Sequence, residues 1–187
     1  MTEYKGGAEI ISPATIRHVM RYLSACKYID SSMSVLDAAC GTGYGTALLS
    51  ERCYRIIGVD QDLEALIEAR ENYDLSFMAA NLLHADFHDM DAIVSIETIE
   101  HFSEQDGVKL LQNFYKWLSP GGALVISTPY CLVSGPSPIT IKHLWEYSLT
   151  DFERTLGNAG FKVEIMEIQP HPGKYGRRGY CLAKAVK

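Results

Sequence analysis

The sequence lacks several features that would assign it to other classes of protein. No apolar run approaches the roughly 20 residues that span a bilayer, and the amino terminus has no basic segment followed by an apolar core. Its five cysteines form no C-x-x-C pair, so a zinc knuckle or a disulfide framework is not expected. We therefore expect a cytoplasmic protein with no membrane partner.

Positive charge is also scarce, because 17 Lys and Arg residues face 23 Asp and Glu residues and the net charge is −6. Such a balance removes the long-range attraction that draws most non-specific nucleic-acid binders to phosphate. One basic cluster stands out in the stretch "QPHPGKYGRRG" and consists of His171, Lys174, Arg177 and Arg178. We interpret it as a solvated hairpin tip, with contact to phosphate on an RNA or a nucleotide sugar as the alternative.

The 187 residues and their 47% hydrophobic content suit one compact domain covering residues 1–187. We divide it into an N-terminal helical cap, 1–30, and a core, 33–187. Ser12 precedes a helix in which Ile16, Val19, Met20 and Leu23 recur at helical spacing.

Beyond this cap, apolar strands alternate with amphipathic helices, a pattern typical of a parallel sheet covered on both faces. Ser103 and Ser148 are expected to cap two of the helices. The last two strands are joined without a helix, which predicts an antiparallel hairpin at the sheet edge. The seven expected strands lie in "SVLDAAC", "RIIGVD", "LSFMAAN", "DAIVSIE", "ALVISTPY", "FKVEIMEIQ" and "GYCLAKAVK".

The stretch "VLDAACGTGYGTALL" places Gly41, Gly43 and Gly45 where a strand should turn into a helix, the place where open α/β sheets bind ligands. A dinucleotide loop would need a third glycine at position 46, which is Thr46, and no Walker lysine follows. Asp37, just upstream, would repel phosphate but could attract a cationic amino group. The loop therefore predicts a nucleotide-like ligand that is not bound through its pyrophosphate.

"LDAACGTGYG" resembles motif I of the Rossmann-like, class I S-adenosylmethionine-dependent methyltransferases, and the likeness extends over nearly all of the chain from Val35 onward. It implies a three-layer α/β fold with a seven-stranded, mostly parallel sheet and an antiparallel C-terminal hairpin strand, and S-adenosylmethionine as cofactor. Asp60 matches the acidic residue that accepts hydrogen bonds from the ribose, whereas Asn81 replaces the usual Asp of the adenine segment. The cofactor-binding residues implied are Asp37, Ala39, Gly41, Gly43, Asp60, Gln61, Asn81 and Leu82.

The segment "ETIEH" follows the fourth strand and sets Glu97, Glu100 and His101 at i, i+3 and i+4, one face of a helical turn. Together with the later His143 they could bind Mg²⁺ or Mn²⁺. The pattern resembles metal-dependent small-RNA 3′-terminal and ubiquinone-pathway O-methyltransferases, and also a broad bacterial group acting on small molecules or sugars. As metal-free alternatives, Glu97, His101 and His143 are catalytic candidates, and either histidine could be a general base.

We therefore predict a methyltransferase that acts by in-line displacement on a hydroxyl of a small molecule or sugar, as a monomer or homodimer. A metal-dependent RNA 3′-terminal 2′-O-methyltransferase is less favoured because of the acidic balance. A nicotinamide-dependent oxidoreductase and a non-catalytic cofactor-binding partner subunit remain as alternatives of other classes. His18, on the first helix, is expected to be structural or part of a lid over the cofactor.

Overall fold

The computed structural model describes residues 13–137, 140–170 and 177–187. The expected cap at Ser12 and the loop residues His171 and Lys174 lie outside these ranges, as do the side chains of Arg177 and Arg178. The helices are α1 (Pro13–Ala25), α2 (Tyr44–Ser50), α3 (Leu63–Asn72), α4 (Glu104–Trp117) and α5 (Leu149–Asn158). The strands are β1 (Ser34–Ala38), β2 (Arg55–Asp60), β3 (Ser76–Ala79), β4 (Met90–Ile96), β5 (Leu118–Cys131), β6 (Tyr147–Ser148), β7 (Lys162–Pro170) and β8 (Arg177–Val186).

The strands form one sheet in the order β3-β2-β1-β4-β5-β8-β7. The pairs from β3 to β5 are parallel, and β8 runs antiparallel between β5 and β7, which confirms the predicted parallel sheet and its C-terminal hairpin. The sheet has eight strands rather than seven, because Tyr147–Ser148 is extended before α5 and pairs with Tyr130 and Cys131 at the end of β5. After β1 the chain places β2 and β3 on one side of it and β4 on its other side, so the strand order switches between β1 and β4. Such switch points open a crevice at the carboxyl ends of the strands.

Both faces of the sheet are covered, which makes the fold three-layered as expected. On β5, Leu124 and Ile126 belong to one buried cluster, with side chains of α4 and α5, whereas Val125 belongs to a second cluster, with side chains of α1 and α2. Successive side chains of a strand point to opposite faces. The side chains of β5 therefore pack into two cores, one on each face of the sheet, which explains why its apolar run is continuous.

Side-chain caps begin the helices where the sequence predicted them. The Ser103 hydroxyl accepts a hydrogen bond from the Asp106 backbone N–H at 3.1 Å, and Ser148 accepts one from Asp151 N–H at 3.1 Å. Asp62 caps α3 in the same way. Each cap satisfies a backbone donor that the first helical turn leaves without a partner, so these three helix starts are fixed locally.

The helix predicted near the N-terminus is confirmed as α1, but its apolar spacing does not mark the buried face. Ile16, Met20 and Leu23 are 50%, 51% and 44% exposed, whereas Arg21 and Tyr22 are almost fully buried. None of the helices in the described ranges is both long enough and apolar enough to cross a membrane.

Tyr22 reaches the sheet because α2 offers it a position without a side chain. A Cβ added at Gly45 would lie 2.1 Å from Cζ of Tyr22, far inside van der Waals contact. Gly45 is helical and its φ is negative, so close packing, not backbone conformation, requires the glycine. The contact joins α1 to the helix that follows the glycine loop.

We predict that Gly45→Ala lowers the free energy of unfolding by about 1–3 kcal/mol, because Tyr22 or the backbone must move. The matched control is Gly157→Ala in α5, where an added Cβ meets nothing within 4 Å. That change should be neutral or stabilise by up to about 1 kcal/mol, since glycine is a poor helix former. Urea unfolding of the three proteins measures this difference, and equal stability of the two variants would contradict it.

Candidate functional site

A cavity of about 320 Å³ opens at the carboxyl ends of β1, β2 and β4, where the switch point predicts a ligand site. Its volume is within the usual range for small-molecule pockets. One wall comes from β1, β2 and the segment after β3 and includes Ala39, Asp60, Gln61 and Leu82. The opposite wall follows β4 and includes Glu97 and His101, and α1 contributes His18.

The turn from β1 to α2 supplies the floor of the first wall. Ala39, Gly41 and Gly43 all have positive φ, 65°, 54° and 82°, which explains two of the glycines directly. A Cβ added at Gly41 would have no atom within 4 Å, so the backbone there borders open space. This space is what a ligand that packs on the loop backbone requires.

Asp60, at the end of β2, holds this loop. Its Oδ2 accepts a hydrogen bond from Gly41 N–H at 2.8 Å, and its Oδ1 accepts one from Asp62 N–H at 2.9 Å. A carboxylate has about four acceptor positions, so two donors leave capacity for a ligand. Asp60 lines the cavity, and its side chain therefore combines loop support with a position suited to bind hydroxyl groups.

Asp37 is placed differently from the other predicted binding residues. It is fully buried, and its oxygens accept hydrogen bonds from Tyr22 Oη at 3.1 Å and Thr46 Oγ1 at 2.6 Å. Burial raises its pKa to about 7, although the two hydrogen bonds oppose that shift. It is not among the cavity-lining residues, so it joins α1, β1 and α2 beneath the loop.

The predicted adenine-binding residues are neighbours at the ends of β2 and β3. Gln61 and Leu82 line the cavity. Asn81 is exposed beside them: its Oδ1 accepts a hydrogen bond from Leu83 N–H at 2.9 Å, and its Nδ2 donates to Gln61 Oε1 at 3.5 Å. Leu82 is held in turn by Asn113 of α4, which donates to its carbonyl at 2.9 Å.

Glu97 is separated from the other residues of "ETIEH". Its φ is +53°, and the helical turn begins only at Ile99, so the expected single face through Glu97, Glu100 and His101 does not form. Instead Glu97 Oε1 accepts a hydrogen bond from Ser127 Oγ at 3.0 Å and lies 3.6 Å from Arg21 Nε.

Three of the four predicted metal ligands do meet: ligand atoms of Glu100, His101 and His143 lie within 4.8 Å of one another. His101 Nδ1 is 2.8 Å from the Lys142 carbonyl, and His143 Nδ1 is 3.1 Å from Glu146 Oε1. Since both partners are acceptors, Nδ1 carries the proton in each ring and Nε2 is the basic atom. Carbonyl and carboxylate partners of this kind also orient histidines that bind metals.

Arg21 and Glu146 are residues that the sequence reasoning did not single out. Glu146 is buried and accepts hydrogen bonds from Ser137 Oγ and His143, which ties the segment after β5 to the histidine pair. Arg21 is buried beside Glu97. The sequence offered one indication for Arg21, because this charged residue directly precedes Tyr22, the aromatic residue that anchors α1. The apolar spacing of the helix instead indicated the opposite helix face as the buried one.

Comparisons with known proteins agree with this geometry. Residues 35–122 match the family model described as a methyltransferase domain. A probable S-adenosylmethionine-dependent methyltransferase of Mycolicibacterium smegmatis is 31% identical over 136 residues, 70% of this chain and 52% of that protein. Phosphoethanolamine N-methyltransferase 1 of Zea mays is 33% identical over 153 residues, 74% of this chain and 30% of that protein. The chain thus spans about half, or less, of the length of these curated relatives.

Solved structures show the same fold. The crystal structure of the N-methyltransferase NodS from Bradyrhizobium japonicum, in complex with S-adenosylhomocysteine, has a TM-score of 0.75 and 17% identity, covering 96% of this chain and 93% of that one. The family match, the relatives and the fold together identify a class I, Rossmann-like S-adenosylmethionine-dependent methyltransferase domain. The nicotinamide-dependent alternative receives no support from these relatives.

We predict a specific pH dependence from Asp37. Its folded pKa of about 7 exceeds the ordinary value of 3.8, so its protonated form stabilises the fold below about pH 4, and this contribution is lost as the pH rises through about 7. Between these values the free energy of unfolding of the wild type should fall relative to Asp37→Asn by up to about 1.4 kcal/mol per pH unit.

Urea unfolding of both proteins from pH 4.5 to 8 measures this difference. Gly157→Ala, which changes no titratable group, is the control and should keep the wild-type slope. Identical slopes for the wild type and Asp37→Asn would contradict the buried, protonated carboxyl.

Proposed function

We propose that the protein is an S-adenosylmethionine-dependent methyltransferase acting on a small molecule. One observation carries the proposal: a single cavity is lined by Ala39, at the start of the glycine loop, and Asp60 on one wall, and by Glu97 and His101 on the other. The first wall suits a nucleoside, and the second suits a polar acceptor. The net charge of −6 favours a small acceptor over an RNA end.

In this proposal the first wall binds the cofactor. Asp60 accepts hydrogen bonds from the ribose hydroxyls, and Gln61, Asn81 and the backbone of Leu82 contact the adenine. The backbone of Ala39, Gly41 and Gly43 packs against the rest of the molecule. Asp37 contributes indirectly by fixing the strand and helix that flank the loop. The bound cofactor supplies an electrophilic methyl group on a sulfonium, whose departure as a neutral thioether makes displacement easy.

The chain's own contribution to the reaction is alignment and proton removal. Holding the acceptor in line with the methyl group removes most of the entropic barrier. His101 lines the cavity, and its Nδ1–H donates to the Lys142 carbonyl, so its Nε2 is the atom that can take a proton from an acceptor. The ring of His143 packs edge-on against it with centroids 5.0 Å apart and fixes its orientation.

The acceptor group is a hydroxyl or an amine. A hydroxyl is the group for which a base beside the cavity matters most, since an amine needs only to lose its ammonium proton. The plant relatives are named for an amine acceptor, phosphoethanolamine. Both groups fit a cleft that combines a carboxylate with an imidazole.

A divalent metal is the alternative to a free His101 base, because an ion bound at His101 would occupy the Nε2 that otherwise takes the proton. Glu100, His101 and His143 would hold the ion, with Nδ1 of both histidines oriented by Lys142 and Glu146. A carboxylate with two imidazoles suits Mn²⁺ or Zn²⁺ better than Mg²⁺, which prefers oxygen ligands. The ion would stabilise the negative charge of a deprotonated acceptor hydroxyl. Glu97 is not assigned to this set, because its carboxylate is held by Ser127 and Arg21.

For the cofactor site we predict that Asp60→Ala weakens S-adenosylhomocysteine binding by at least about tenfold, since both the loop support and the ribose acceptor are lost. Asp62→Ala is the matched control: it removes a helix cap, at a cost of about 1 kcal/mol in stability, but no cavity residue. Calorimetric titration of the folded proteins measures both affinities. Absence of binding to the wild type, or equal binding by Asp60→Ala, would overturn the assignment.

For the metal we predict that Mn²⁺ binds the wild type and that His101→Ala and His143→Ala each weaken it at least about tenfold. Glu97→Gln, which lies outside the three-residue group, should bind Mn²⁺ as the wild type does. Titration of S-adenosylhomocysteine into each variant controls for folding. Wild-type protein that binds neither Mn²⁺ nor Zn²⁺ would refute the metal and leave His101 as the base.

A further inference from the structure

Arg21 is the most unusual buried group outside the roles assigned above. Its residue exposure is 2%, and its Nε and Nη2 have no hydrogen-bond partner among the described residues. A guanidinium stays charged at any physiological pH. Burying such donors without partners has a cost in free energy, which is larger when the group is charged. A position that carries this cost calls for a compensating interaction.

The neighbours of Arg21 hold its guanidinium in place but accept no hydrogen bond from its Nε or Nη2. The guanidinium carbon lies 3.7 Å from the centre of the Tyr180 ring, a stacked cation–π contact. Glu97 Oε1 is 3.6 Å from Nε, which is beyond hydrogen-bond distance, and the same oxygen accepts a hydrogen bond from Ser127 Oγ at 3.0 Å. The guanidinium is therefore pre-positioned, with donors that await an acceptor.

Arg21 is not itself among the residues that line the cavity, but two of its neighbours are. His18 lies one helical turn earlier on α1, and Glu97 is its ion-pair neighbour. Burial, and then the charge of Arg21, lower the pKa of His18 to about 4, so His18 is neutral and adds no second cation. Arg21 therefore lies beside a neutral imidazole and the Glu97 carboxylate.

The sheet order locates Arg21 on the acceptor side. Tyr180 belongs to β8 and pairs with Pro129 of β5. The order β1-β4-β5-β8 puts β8 three strands away from the glycine loop, roughly 14 Å at the usual strand spacing. The first wall, which is proposed to bind the nucleoside, lies over β1 and β2. The guanidinium therefore lies on the other side of β4, past Glu97.

We propose that Arg21 binds an anionic group, a phosphate or a carboxylate, of the methyl acceptor. The inference rests on the proposed function, because it needs a methyl acceptor in this cavity. A planar guanidinium with adjacent N–H donors matches either anion in a bidentate arrangement. Glu97 beside it suits the positive end of an acceptor that carries both charges. Curated relatives are named for such an acceptor, phosphoethanolamine.

The cofactor carries the same chemistry in its own amino-acid carboxylate, so the experiment must separate the two sources. Arg21→Met keeps the length of the side chain and removes its charge and donors. Arg17→Met, one turn earlier on α1, is the matched control. Arg21→Lys keeps a charge but loses the planar fork, and it replaces Arg21→Met if the latter does not fold.

Two titrations test the proposal. In the first, S-adenosylhomocysteine and its decarboxylated analogue are titrated into each protein. In the second, inorganic phosphate or acetate is titrated into protein saturated with S-adenosylhomocysteine, with chloride at equal ionic strength as reference. We expect S-adenosylhomocysteine affinity within about twofold of wild type in every variant, and at least a tenfold loss of phosphate and acetate binding in Arg21→Met only.

Two results would overturn the proposal. If S-adenosylhomocysteine binding falls tenfold in Arg21→Met while the decarboxylated analogue binds all proteins equally, the anion belongs to the cofactor. If wild type and Arg21→Met bind phosphate and acetate equally, Arg21 receives no anion. Failure of the wild type to bind S-adenosylhomocysteine would instead refute the proposed function, which keeps the two failures distinct.

Discussion

The turn between β1 and α2 is held from two sides by carboxyl groups, and the site depends on this arrangement. Asp60 bonds the Gly41 N–H from the cavity side, and Asp37 holds Thr46 and Tyr22 from beneath. Three consecutive odd positions, Ala39, Gly41 and Gly43, take left-handed backbone conformations that such a turn would not keep without support. Asp60 thus remains at the cavity surface, whereas Asp37 is buried and serves only the fold.

The two carboxylates that follow β4 also have different partners. Glu97, directly after β4, accepts a hydrogen bond from Ser127 and pairs with Arg21, while Glu100, three residues later, lies beside the histidine pair. The cleft beyond β4 therefore has two polar centres. A guanidinium with a carboxylate suits the binding of a charged acceptor, and two imidazoles with a carboxylate suit its deprotonation.

Much of the fold could be predicted because its signals are local. Ser103 and Ser148 act within their own helical turns, and a strand buried on both faces has a continuous apolar run. The face of α1 could not be predicted from its apolar spacing, because Tyr22 and the glycine at position 45 decide it across 23 residues of sequence. Glu97 is separated from Glu100 because its own left-handed backbone keeps the helical turn from starting before Ile99, which residue spacing does not reveal. The two-residue β6 depends entirely on pairing with β5.

The proposed function depends on S-adenosylmethionine binding in the cavity between Asp60 and His101. A crystal structure of the protein grown with S-adenosylhomocysteine is the decisive experiment. We predict density for the nucleoside at the ends of β1 and β2, with the ribose oxygens within hydrogen-bond distance of the Asp60 carboxylate and the sulfur toward Glu97. Density elsewhere on the molecule, or a ribose without contact to Asp60, would contradict it.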